Sequence, residues 1–248
     1  MKKYILIATT FLLCAYNGTA QKSKNDWHLK GRVKQLKEVI YEAVEKGGEV
    51  QKGEVIECNT YVFNEQGNEI EWNRPNVHGS VDWKYTFKYD DKGNKIEMNV
   101  YNADGSLDRK NTFKYVDKGN EIEMNVYKAD GSLFYGKAIY KCDDKGNVIE
   151  WNKYNADSSL ESKATYNYDK KGNKVEENVY NADGSLKSKT TDKYDDKGNT
   201  IEENEALGSL NFKRIFKYEY DKNVNWIKKT TYVNSVPTAI TKREIEYF

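Results

Sequence analysis

The sequence predicts an all-β fold, a long antiparallel β-meander of tandem 26-residue two-strand units, curled or rolled over one aromatic face. Three observations carry this. Gly-Asn pairs begin at Gly67, Gly93, Gly119, Gly146, Gly172 and Gly198, at spacings of 26, 26, 27, 26 and 26, and a worn seventh copy stands at Val224-Asn225. Each unit holds two turn signals, such as Asp90-Asp91-Lys92-Gly93 and Asn102-Ala103-Asp104-Gly105, in which an Asx residue leads to a glycine able to turn left-handed. Between the turns the residues alternate, with Met98 and Val100 interleaved among Glu97, Asn99 and Tyr101.

Strand parity predicts the loop length. With four-residue loops Phe87 faces Ile96, Tyr85 faces Met98 and Val100 faces Leu107. One face then collects Ile96, Met98, Val100, Leu107, Phe113 and Tyr115, and the other Glu97, Asn99, Tyr101, Lys110, Thr112 and Lys114. Three-residue loops would mix the two sets. The same register sets Glu97 opposite Lys110, Glu150 opposite Lys163 and Glu176 opposite Lys189, pairs worth about 0.2 to 1 kcal/mol each.

Seven units imply on the order of fourteen strands, and a flat sheet of them would be roughly 70 Å wide with one apolar face wet. It must roll or pack, and an open spiral, a flattened barrel and a sandwich all satisfy that need. The chain divides into residues 1–20, 21–66 and 67–248. The middle segment is a variant unit with strands near 33–41 and 54–63 that caps the first edge. The last segment is the tandem array, and its final strand, near 239–248, carries Lys242, Arg243 and Glu244 as guards against edge pairing.

Residues 1–20 read as a signal peptide, with Lys2 and Lys3 before an apolar run and Gly18-Thr19-Ala20 at its end. Lipid anchoring at Cys14 is not expected, because Leu13 occupies the place of a small residue. Cleavage removes two lysines, so the 40 basic residues become 38 against 39 acidic, a net charge of −1 with no basic block for nucleic acid. No segment is apolar enough for a transmembrane helix. Mean hydropathy is −0.94, yet 13% of residues are aromatic, a composition that argues against disorder.

The signature Tyr-Asp-x-x-Gly-Asn, at residues 89–94, 168–173 and 194–199, resembles the tyrosine-aspartate (YD) repeats of Rhs-type proteins, and the units are similar to MORN-variant repeats too. The resemblance implies an extended, curling β-shell at the cell exterior, linked with carbohydrate binding. Unlike in the large members of that family, a toxin-like domain after the array is not expected.

Catalytic chemistry is not expected, since every unit offers nearly the same residues. The two histidines, His28 and His78, have no marked nucleophile beside them. Glu176 and Glu177 are adjacent and point to opposite faces. No cofactor is implied and no metal site, since Asn102-Ala103-Asp104-Gly105-Ser106 lacks the closing ligands of a calcium loop. Cys58 and Cys142 fall on opposite faces, about three units apart, and are expected as free thiols. Trp72, Trp83 and Trp151 fall on the apolar face as packing residues. The candidate binding residues are Asn99, Tyr101, Asn125, Tyr127, Asn152, Tyr154, Asn178 and Tyr180, a ladder of amides and rings suited to hydrogen-bonding and stacking on a sugar. The functional expectation is an exported non-catalytic scaffold binding a glycan or a surface protein. The alternatives are a purely structural shell and, less favoured, an exported hydrolase.

Overall fold

The computed structural model describes residues 27, 29–75, 81–116 and 121–248. The signal-peptide segment, Cys14, His28 and His78 lie outside them. Sixteen strands occur among the described residues. They begin with β1 (Val33–Lys46), β2 (Glu49–Phe63), β3 (Glu69–Pro75), β4 (Val81–Tyr89), β5 (Lys95–Asn102) and β6 (Leu107–Val116). Then come β7 (Glu121–Lys128), β8 (Leu133–Cys142), β9 (Val148–Tyr154), β10 (Leu160–Tyr168) and β11 (Lys174–Asn181). The last are β12 (Leu186–Tyr194), β13 (Thr200–Leu207), β14 (Leu210–Tyr220), β15 (Trp226–Val233) and β16 (Val236–Tyr247). Each pairs antiparallel with its neighbour in sequence, and β1 pairs with β16, so the meander closes into a barrel.

Closure corrects two expectations. There is no free edge for a first unit to cap, and Arg243 is no edge guard, being 8% exposed on the inner wall. The seam runs in register from Leu36↔Ile245 to Glu42↔Ala239. It is fastened where Lys30 donates its backbone N–H to Asn225 Oδ1 (2.6 Å) and Asn225 Nδ2 donates back to the Lys30 carbonyl (2.9 Å).

The loops are not the expected four residues long. Asp90 donates its N–H to the Asn94 carbonyl, and Gly93 donates to the Asp90 carbonyl, with Gly93 at φ 82°, leaving a three-residue loop. A one-residue bulge follows, since Tyr89 pairs with Lys95 but Lys88 pairs with Glu97, and Ile96 is extra. A short loop and a bulge shift the register twice, so parity and the two faces survive while the pairs move by two: Phe87 faces Met98, Tyr85 faces Val100, and Val100 faces Arg109. The bulged residue is thrown outward. Ile70, Ile96, Ile149, Ile201 and Ile227 are each exposed by more than a third, whereas Ile122, on a hairpin without a bulge, is 5% exposed. Leu107 likewise leaves the inner face and pairs with Tyr101.

The Tyr-Asp signature has a structural reason. Asp90 accepts the N–H groups of Lys92 and Asn94 and the Asn94 amide, which shapes the turn. The tyrosine before it donates its hydroxyl to a carbonyl on the neighbouring strand beside the bulge: Tyr89 to Glu69 (2.7 Å), Tyr115 to Lys95 (3.0 Å), Tyr168 to Val148 (2.7 Å), Tyr194 to Lys174 (2.6 Å). A bulge disrupts the ladder, and the phenol satisfies a carbonyl left beside it.

In the worn copy Val224 holds the glycine position at φ 64°, a conformation costly for a β-branched residue. Val224→Gly is expected to stabilise the barrel by about 1–2 kcal/mol, read as a higher urea midpoint. An unchanged or lower midpoint would show that the Val224 side chain contributes packing that outweighs the strain.

Candidate functional site

Electrostatics separates the inside of the barrel from the outside. On the face that carries Phe87, Val100 and Ala164, burial pushes the phenols of Tyr115, Tyr166, Tyr168, Tyr194 and Tyr218 well above their ordinary range and pulls Lys95 down to about 7. On the other face hydrogen-bonded lysines hold the carboxylates of Glu97, Glu150 and Glu202 at about 2. Desolvation on the first and ion pairing in water on the second make the aromatic face the concave interior.

The outer wall is a lattice. Glu97 binds Lys110 (2.6 Å) and Lys88 (2.8 Å), Glu150 binds Lys163 (2.6 Å) and Lys141 (2.9 Å), and Glu176 binds Lys189 (2.6 Å). The expected ion pairs therefore form, but diagonally across the ladder, because Lys110 stands directly opposite Asn99. The candidate amides are drawn into this lattice. Asn99, Asn152 and Asn178 each donate Nδ2 to the glutamate two residues earlier at 2.8 Å, and Asn99 and Asn152 are buried beneath their neighbours. Asn125 stands in the same row, opposite Thr112. Tyr101, Tyr127, Tyr154 and Tyr180 end their strands at one rim, each opposite a leucine: Leu107, Leu133, Leu160 and Leu186.

The inner wall has two halves. From β2 to β10 it is largely aromatic and aliphatic, with Tyr61, Trp72, Tyr85, Phe87, Val100, Phe113, Ile122, Tyr140, Val148 and Tyr166, interrupted by the Arg74–Glu57 pair and by Lys95. Trp27, Tyr61, Trp72 and Tyr85 form a row at successive centroid distances of 4.3, 5.8 and 4.2 Å. Trp72, Trp83, Trp151 and Trp226 all lie on this wall and Trp27 packs at its mouth, so every tryptophan of the chain faces inward. Cys142 is buried here and Cys58 lies on the outer face, both as free thiols.

From β11 round to β1 the inner wall is charged. Lys174 pairs with Glu177 (2.5 Å), Arg214 with Glu203 and with Glu205 (2.8 Å), and Arg243 with Glu38 (2.7 Å). Periodicity predicted one aromatic face and missed this half. The signal was present in Asp192, Glu203 and Glu205, which stand at alternate positions where most other units carry apolar residues. Lys229 and Asp192 differ from the rest. Among the described residues Lys229 has aromatic neighbours but no ion pair, and Asp192 Oδ1 is buried without a hydrogen-bond partner. Sixteen-stranded barrels are in general wide enough to enclose water, and here many inward side chains remain part-exposed.

Burial, then the nearby Glu203 and Glu177 charges, raise the Asp192 carboxyl to about 6, against the smaller opposing effect of Lys174. Its folded pKa lies above the unfolded value, so stability is fully present at low pH and falls as pH rises through roughly 4 to 6. Asp192→Asn is expected to stabilise the protein by about 1–2 kcal/mol at pH 8 and to do little at pH 3.5. Equal effects at both pH values in urea titrations would refute a titrating Asp192.

Among the described residues no group of three or more His, Cys, Asp or Glu is arranged to hold a metal ion, and no helix is long and apolar enough to cross a membrane. No family model and no curated protein matches the chain. Among solved structures it is similar to a porin-like protein from Bacteroides uniformis, with a TM-score of 0.56 at 12% identity over 88% of this chain and 98% of that one. It also aligns with TcdB2-TccC3 (TM-score 0.29, 13% identity, 81% of this chain, 13% of that one). A DUF1329 family protein from Desulfovibrio piger aligns as well (TM-score 0.24, 9% identity, 87% of this chain, 86% of that one). The first likeness shows the fold, a closed antiparallel barrel. It overturns the resemblance to YD and MORN-variant repeats, because the chain is not an open curling shell.

Proposed function

We propose that this chain is an exported, non-catalytic binding barrel that takes its ligand into the lumen. The observation that carries this reading is the contrast between the walls. The outer amides and carboxylates are committed to one another, whereas the inner wall presents part-exposed rings on one side and two uncommitted charged groups, Lys229 and Asp192, on the other. Binding sites are concave, largely apolar and furnished with a few polar groups, a description that fits the lumen. Export rests on residues 1–20. The outer ion-pair lattice supports a barrel whose outside is in water, because burying such charges in hydrocarbon costs several kcal/mol.

Titration of the folded chain with the apolar fluorophore N-phenyl-1-naphthylamine tests the reading, with the inward tryptophans as energy-transfer donors. Binding is expected, and Trp83→Ala with Tyr85→Ala should weaken it at least fivefold while Tyr127→Ala with Tyr154→Ala leaves it unchanged. The reverse pattern would move the site outside. That is the second reading, favoured by the row of Tyr101, Tyr127, Tyr154 and Tyr180: a glycan or surface protein on the outer rim, read by a glycan array against a variant with Asn125, Tyr127, Asn152 and Tyr154 replaced by Ala.

A further inference from the structure

We propose that Lys229 and Arg243 form an anion-binding site in the lumen, and that the ligand is an amphiphile whose acidic head group sits there while its apolar body lies along the aromatic half of the wall. The inference rests on the lumen reading and adds to it the chemical class of the ligand.

The two cations share one ring. The Arg243 guanidinium lies 3.3 Å from the Trp226 centroid, and the Lys229 ammonium lies 5.2 Å from the same centroid and 5.7 Å from that of Phe216. Two positive groups over one indole repel each other, and a single carboxylate, Glu38, is bonded to the pair, through Arg243 Nε alone. Glu203, whose charge also reaches Lys229, is already engaged with Arg214. With Lys229 protonated, the cluster of Lys229, Arg243 and Glu38 carries one uncompensated positive charge; burial and the Arg243 charge lower the Lys229 pKa against the attraction of Glu38, and an anion beside it favours the ammonium form. Lys229 is part-exposed on the inner wall and Arg243 is nearly covered beside it, so Lys229 is the group that an entering anion meets first. A buried cation without a partner is costly, and an entering anion removes that cost. An ammonium beside the free edge of a guanidinium suits a carboxylate or phosphate, which accepts from both.

The neighbouring surface supplies the other half of the ligand. Arg243 also lies 5.6 Å from the Trp27 centroid, and Trp27 begins the row that continues through Tyr61 and Trp72 to Tyr85. An acidic group held at Lys229 thus has an apolar path leading away from it across β2, β3 and β4. The opposite direction leads to Glu203, Glu205 and Asp192, which would repel a second anion. Charge on one side and rings on the other orient the ligand head first.

The experiment is a set of titrations of the full folded chain, below micelle-forming concentrations, with decanoate, decyl phosphate, decyltrimethylammonium and decyl maltoside, followed by tryptophan emission and calorimetry. Decanoate or decyl phosphate is expected to bind at least tenfold tighter than the cationic and neutral amphiphiles, and the tighter of the two names the head group. Lys229→Met should erase that advantage while changing decyl maltoside affinity less than twofold, and Lys229→Arg should restore it. Loss of an unpaired buried cation does not threaten the fold, and circular dichroism checks this. Equal binding of all four amphiphiles, unchanged in Lys229→Met, overturns the anion site and leaves the lumen reading standing. Binding of none of them, or of N-phenyl-1-naphthylamine, overturns both.

Discussion

Arg243→Met is expected to destabilise the barrel by about 3–5 kcal/mol, the cost of leaving a buried partner charge uncompensated. Glu38 is 8% exposed on the inner wall, and the hydrogen bond from Arg243 Nε, at 2.7 Å, links the first strand to the last. Without it Glu38 keeps its desolvation cost and loses its counter-charge, and Trp226 loses the guanidinium on its face. Lys229 is close enough to interact with the Glu38 charge, so Lys229→Met combined with Arg243→Met should cost more than Arg243→Met alone. Glu38→Gln in the Arg243→Met background should recover much of the loss, since the stranded charge is then gone. By contrast, Lys193→Met, which breaks the outer pair of Lys193 with Glu202, should cost less than about 1 kcal/mol, because its lysine is solvent-exposed. Urea unfolding of the four variants makes the comparison. Equal small losses for Arg243→Met and Lys193→Met would mean that the lumen solvates Glu38 as water does.

Arg243 also shows where sequence reasoning reached and where it stopped. The 26-residue period and the alternation of Met98 and Val100 with Glu97 and Asn99 are local properties, and they marked the strands and sorted most side chains to the correct face. Loop length was not legible, because a three-residue loop with a bulge and a four-residue loop without one preserve the same parity; the outward Ile96 distinguishes them only once the structure is known. Closure was not legible either, since pairing of β1 with β16 is a contact between chain ends that no local pattern encodes. Charges near the last strand therefore read as edge guards, although in a closed barrel the same arginine points inward and finds Glu38. The candidate outer ladder was legible as a row, but not the commitment of its amides to glutamates two residues away. The lumen site escaped notice because its residues interrupt the repeat, and a search for recurring features passes over the positions where the units differ.

One such position sets the second large effect. Gly136 lies within β8, and a Cβ there would stand 2.0 Å from the Tyr154 carbonyl oxygen and 2.2 Å from that of Asn155. Both obstacles are backbone, so no rotamer change relieves them. A glycine inside a strand marks such a close approach of another chain segment. The register agrees: pairing of β7 with β8 slips by two residues between Asn125↔Lys137 and Tyr127↔Leu133, the irregularity that brings β8 against the end of β9. Gly136→Ala must push residues 154 and 155 away by about 1 Å, loosening the hairpin in which Asn155 donates to the Ser159 carbonyl, and a cost of about 2–4 kcal/mol is expected. Gly131→Ala is the control, with open space around its Cβ but a φ of 81°, and should cost only about 1 kcal/mol. Hydrogen exchange separates the two, because Gly136→Ala should speed exchange at the Asn155 amide while Gly131→Ala leaves it protected. Since Tyr154 is on the moving segment, Gly136→Ala also displaces one ring of the outer row without removing it, and lumen binding should persist while any outer-rim binding falls. A Gly136→Ala protein as stable as its parent would show that the end of β9 yields freely, and that the close approach constrains nothing.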